Sequence, residues 1–144
     1  MTGSIITVRE FEERLAAICT GGGGTGFPKR ERDVAVMLAS ATLWLKPGSV
    51  YSEPEINDGL AHWLEAVCPS RGLDPVSLRR ELIDRNYLNR DDAGASYAPG
   101  PGPPEWRFED GVAGVDPASV IADVARERDE RKRSWAARQP GSSP

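Results

Sequence analysis

The stretch DPVSLRRELIDRNYLNRDDAGASY, residues 74–97, constrains this chain more than any other. Asp74 and Pro75 form an N-cap and first-turn pair, because the carboxylate can accept orphan backbone N–H groups and proline needs no donor there. Leu78, Leu82 and Ile83 give the helix that follows one apolar face. Residues 87–90 then read as a strand and residues 91–94 as a turn whose glycine supplies positive φ. Residues 95–97 read as the return strand.

Two helices precede this unit. Residues 27–45 start at Pro28 and place Val34, Met37, Leu38, Ala41 and Leu45 on one face, until KPGS breaks the pattern. VYS is long enough only for an edge strand. Ser52 and Glu55 form a capping box that opens the next helix. Pro54 is tolerated in its first turn, and Ile56, Leu60, Trp63, Leu64 and Val67 supply its buried face. CPSRGL is a loop. Helix, short strand, helix, helix, hairpin is the order of a winged helix-turn-helix. The expected fold is therefore mainly α with a small β-hairpin, a winged helix-turn-helix-like module flanked by N- and C-terminal helices.

The flanks carry their own signals. Thr7 and Glu10 read as a capping box for a helix over 7–19, with Val8, Phe11, Leu15 and Ile18 as its apolar stripe. TGGGGTG stops that helix and reads as a flexible linker. A helix of this length is not stable alone, so its stripe must be covered by its own module or by a second copy in a two-fold dimer. APGPGPPEW is proline-rich and extended. A last helix starts at Asp116 and Pro117, with Ile121, Val124, Arg128 and Trp135 roughly on one stripe and a middle of mixed charge suited to a solvated face. The expected division is 1–26 for helix and linker, 27–97 for the winged-helix-like domain, and 98–144 for the proline-rich linker and charged helix.

Composition limits the function classes. The 144 residues carry a net charge of -4, and the pI is about 5.1, so the bulk field does not attract polyanions. Arginine far outnumbers lysine, and Ala, Gly and Pro abound, as in chains from GC-rich bacterial genomes. The only cysteines, Cys19 and Cys68, imply no disulfide framework and fit a reducing cytoplasm. The start lacks the basic and apolar regions of a secretory signal, and no apolar run is long enough to cross a bilayer.

FPKR, YSEPEIN, LRRELIDRNYLNR and SY, in that order, resemble a small bacterial domain-of-unknown-function family. Its pattern is a Phe-Pro-Lys start, a Tyr-Thr/Ser-Glu-x-Glu-Val-Asn segment and an Asp-x-x-x-Leu-Arg-Arg-x-Leu-Val-Asp helix, then Leu-x-Arg, a turn and Tyr. The resemblance covers residues 27–97, about half the chain. Matching positions are Pro28, Lys29, Tyr51, Glu53, Glu55, Asn57, Asp74, Leu78, Arg79, Arg80, Leu82, Asp84, Arg90 and Tyr97. Members occur alone or attached to helix-turn-helix regulators, so the resemblance implies a winged-helix fold and a regulatory role, with no chemistry assigned. Asn86 and Tyr87 stand here in place of a glycine-containing turn, and CPSRGL lengthens the turn between the two main helices.

The candidate nucleic-acid contacts are Ser77, Arg79 and Arg80 on the 74–85 helix, Arg90 on the wing, and Lys29 or Arg30 near the module's start, with double-stranded DNA as partner. Charge opposes that reading. Residues 27–97 hold nine basic and eleven acidic side chains. Arg80 with Asp84 and Glu81 with Arg85 are spaced for neutralising surface pairs, and Asp91 and Asp92 sit at the wing tip. If Arg79 and Arg80 serve binding alone, replacing both by alanine should barely move the melting temperature. Cys19, His62 and Cys68 are too few and lack the close cysteine pair of a structural zinc site, so no metal or cofactor is expected. The glycine run lacks the Lys-Ser/Thr of a phosphate loop. Glu53, Glu55 and Asp58 are explained by capping and solvation, so no catalytic residue is assigned. The reading is a cytoplasmic, homodimeric, DNA-binding transcription regulator. The alternative is a winged-helix protein-interaction adaptor without nucleic-acid binding.

Overall fold

The computed structural model describes residues 4–21, 24–46, 48–93 and 96–137. The expected wing-tip residues Gly94 and Ala95, Pro47 of the first helix breaker, two glycines of the linker and the terminal PGSSP lie outside the described residues.

Five α-helices and two small sheets form among them. Helix α1 (Val8–Thr20) starts at Thr7, whose hydroxyl accepts from the Glu10 N–H at 3.1 Å. The expected capping box is only half made, because the Glu10 carboxylate turns away to the Arg32 guanidinium. Glu109 supplies another cap, accepting from the Val8 N–H at 2.8 Å. Helix α2 (Glu31–Trp44) begins later than Pro28 suggests, and Arg30 caps it with no side-chain bond. Helix α3 (Glu53–Ala66) has the complete Ser52–Glu55 capping box, with the Glu55 side chain accepting from the Ser52 N–H at 2.8 Å. Helix α4 (Pro75–Asp84) has Asp74 accepting from the Ser77 N–H at 2.7 Å. Helix α5 (Pro117–Ala137) starts at Asp116, which accepts from the Ala118 N–H.

Strand β2 (Leu88–Arg90) pairs antiparallel with β3 (Tyr97–Pro99), two residues further on than the return strand expected at 95–97. Tyr51 bridges antiparallel to Tyr97 and so adds the expected edge strand. Asn86 performs the turn that a glycine makes elsewhere: its φ is 65°, a left-handed conformation that asparagine tolerates. The second sheet was not expected. Strand β1 (Ser4–Ile6) pairs parallel with β4 (Trp106–Phe108), inside and just after the stretch read as extended. Three-residue strands carry too little alternation to be read.

One continuous core joins module and flanks. Phe11 and Leu15 of α1 are fully buried with Val36, Met37 and Leu38 of α2, and Phe11 meets Phe108 edge-to-face with ring centres 6.1 Å apart. The apolar stripe of α1 is thus covered by its own chain, which removes the observation that motivated a homodimer. In α5 only the first turns dock: Val120 is buried and Ile121 and Val124 half-buried, whereas Trp135 is exposed. Arg128 reaches back to the Thr20 carbonyl at the end of α1, at 3.3 Å. Beneath α3, the fully buried Trp63 donates its indole N–H to Ser40, also fully buried, at 3.0 Å. No helix among the described residues is long and apolar enough to cross a membrane.

Candidate nucleic-acid interface

The six residues expected to contact nucleic acid divide by how they are held. Arg79 leaves α4 toward the protein. Its Nη1 donates to Asn57 at 2.8 Å and to Glu53 at 3.2 Å, both on α3, and its guanidinium lies 5.6 Å from the centre of the Tyr97 ring on β3. Only 12 % of the side chain is exposed. Arg79 is therefore a three-way clamp between α4, α3 and the hairpin. This enclosure speaks against the expectation that replacing Arg79 and Arg80 together would barely move the melting temperature, because a side chain so enclosed is not a surface charge.

Ser77 is exposed, but its hydroxyl donates back to Asp74 at 3.1 Å as part of the cap. Hydrogen bonds from the Ser77 N–H, then from its hydroxyl, hold the Asp74 carboxyl below its usual range, and the nearby charge of Arg80 adds to this. Arg80 is exposed and does not pair with Asp84. The other expected pair forms: Arg85 donates to Glu81 at 3.2 Å and also reaches Glu31 at the start of α2. Arg90 ends β2 in register with Tyr97 and points to solvent beside the exposed Asp91 and Asp92. Lys29 and Arg30 are exposed at the start of α2 and line a cavity of about 530 Å³ shared with Arg14, Asp33 and Arg71, on the side of the molecule where α1 ends.

The outward face of α4 thus presents Val76, Ser77, Arg80 and Asp84, one cation and one carboxylate among small groups. Glu31 and Glu53 draw Arg85 and Arg79 inward, and Asp74 flanks Arg80. Of Arg79, Arg80 and Arg90, the first is engaged inward and the other two are exposed. His62 is exposed on α3, and among the described residues no group of three potential metal ligands is found.

Reading the α4 helix in isolation missed Glu53, Asn57 and Tyr97 as partners of Arg79. All three match the family pattern, and in this chain they hold Arg79 in place. Glu55 caps α3, Asp74 caps α4, Leu78 and Leu82 are fully buried, and the Tyr51 hydroxyl accepts from the Lys46 N–H at 2.9 Å. These positions hold three helices and a hairpin in one arrangement.

That arrangement defines a small, mainly helical domain closed by an antiparallel hairpin. Residues 25–98 match the family described as an uncharacterized protein conserved in bacteria, DUF2087, and the chain belongs to it. No curated protein and no solved structure matches the chain.

Proposed function

We propose that residues 25–98 are a winged-helix-type module that works in the bacterial cytoplasm as a protein-interaction adaptor. The order α2, Tyr51 bridge, α3, α4, β2, β3 supports the winged-helix reading. The observation that carries the adaptor reading is the clamp on Arg79: the strongest candidate for a base or phosphate contact has its guanidinium engaged by Glu53, Asn57 and Tyr97. What α4 offers outward is a near-neutral patch with an apolar residue, Val76, 39 % exposed. Such a patch suits a polar protein surface better than a polyanion, since charge complementarity sets partner choice.

The second reading, a DNA-binding regulator, is favoured by the exposure of Lys29, Arg30, Arg80 and Arg90. These four would contact phosphates without reading bases. A photo-crosslinking amino acid placed at position 76 and activated in bacterial cells separates the two. The adaptor reading expects a discrete protein adduct that survives nuclease. Nuclease-sensitive adducts would instead support the regulator.

A further inference from the structure

Cys19 and Cys68, the only two cysteines of the chain, stand 49 positions apart in sequence and lie buried on the two sides of one seam in the fold. Cys19 lies in the last turn of α1. Cys68 follows the end of α3, with its N–H bonded to the Leu64 carbonyl at 3.2 Å. The next three residues, Pro69–Arg71, form a 3-10 turn that grips the end of α1. Ser70 donates its hydroxyl to the Cys19 carbonyl at 3.0 Å, and Arg71, itself buried, donates to the Ile18 carbonyl at 3.2 Å. Each thiol shifts the ionisation of the other, and the residues are 3 % and 0 % exposed.

We propose that Cys19 and Cys68 are a reactive dithiol, a modification site at which a disulfide oxidant of the glutathione type closes a covalent bridge between α1 and the family module. Helix α1 lies outside residues 25–98, so the bridge would fasten a flanking helix to the domain it covers.

The local chemistry gives the two sulfurs different roles. The neighbouring Cys19 thiol lowers the Cys68 thiol and the Arg71 charge adds to this, although burial opposes both. The Cys68 thiol raises Cys19, and burial raises it further. In the proposed sequence Cys68, next to the 3-10 turn, attacks first. Its sulfur displaces one glutathione thiolate from glutathione disulfide and forms a mixed disulfide. Cys19 then loses its proton, attacks the Cys68 sulfur and expels the second glutathione thiolate. Two protein S–H bonds are lost and one S–S bond forms. The oxidant's S–S bond is cleaved and takes up two electrons and two protons as two thiols. Because both thiols are buried, attack requires the end of α1 to lift, so oxidation should accelerate in urea too dilute to unfold the protein.

The test uses the full chain, reduced, then equilibrated with excess glutathione disulfide, quenched with acid, alkylated in denaturant and weighed intact. The expected product is a monomer lacking two hydrogens and carrying no alkyl group. It should melt about 10 °C higher than the reduced protein, since a bridge across such a loop restricts the unfolded chain. Dithiothreitol should reverse the shift. Cys19→Ser should give only a glutathione adduct on Cys68, with no rise in melting temperature. Two alkylated cysteines at equilibrium, a persistent glutathione adduct on the unmodified sequence, or disulfides only between chains would overturn the proposal.

Discussion

The Arg79 guanidinium packs 5.6 Å from the centre of the Tyr97 ring, while the same group donates to Glu53 and Asn57. One side chain thereby ties α4 to α3 and to the hairpin. Arg79→Ala removes a hydrogen bond to a neutral acceptor, an ion pair and a cation–π contact. We expect a loss of about 2–3 kcal/mol in urea unfolding. Arg79→Lys should not fully restore it, because an ammonium has no planar face to stack on the Tyr97 ring. Arg80→Ala should leave stability unchanged. Equal effects of the two alanine changes would contradict the clamp.

Ser40 and Trp63 make a second, fully buried polar contact. Ser40→Ala leaves the indole N–H buried without its acceptor, which costs about 1–3 kcal/mol. Denaturant unfolding of this variant, followed by far-ultraviolet circular dichroism, should show the midpoint falling while the m-value stays constant.

Tyr87 behaves in the opposite sense. Its hydroxyl is buried with no hydrogen-bond partner among the described residues. Burial pushes its pKa up to about 12 from an ordinary 10, with Arg85 opposing and Glu105 adding. An acid raised in the folded state contributes stability below its unfolded pKa and loses it as pH climbs through the folded value. Between pH 10 and 12 the unfolded chain sheds this proton while the folded one keeps it, so stability falls across that window. Tyr87→Phe should remove this component of the alkaline loss. At neutral pH it should match or exceed the parent's stability, because an unsatisfied buried hydroxyl is costly.

The acid limb has its own carriers. The Arg32 hydrogen bond lowers Glu10, and the Arg85 hydrogen bond lowers Glu31, each from an ordinary 4.5. A carboxyl depressed in the folded state stabilises above its unfolded pKa and stops doing so as pH falls through the folded value. Melting temperature should therefore decline below pH 4.5, and Glu10→Gln should decline less steeply over the same range, from a lower starting point.

Local chemistry was legible in the sequence at several helix caps, although the Thr7–Glu10 box is half made and the Arg80–Asp84 pair does not form. The Ser52–Glu55 box and the Asp74 cap follow from spacing alone. The hairpin was legible in kind, but its return strand sits two residues later than the turn residues suggested. Contacts between distant segments were not legible. Nothing near Ser4–Ile6 announces its pairing with Trp106–Phe108, and nothing near Glu10 announces that Arg32 would draw its carboxylate out of a capping box. The same limit applies at the candidate site. Beside Asp84, Arg79 and Arg80 look like equivalent surface cations, and only tertiary packing against α3 and β3 separates them.

The central claim, that the module's exposed cations do not form a nucleic-acid face, is tested most directly by fluorescence anisotropy. The probe is a labelled mixed-sequence DNA duplex, titrated with the full chain at low and at physiological salt. The adaptor account predicts no saturable rise at tens of micromolar protein at either salt. Saturable binding that weakens steeply with salt, as counterion release requires, and that Arg80→Ala with Arg90→Ala abolishes, would contradict it.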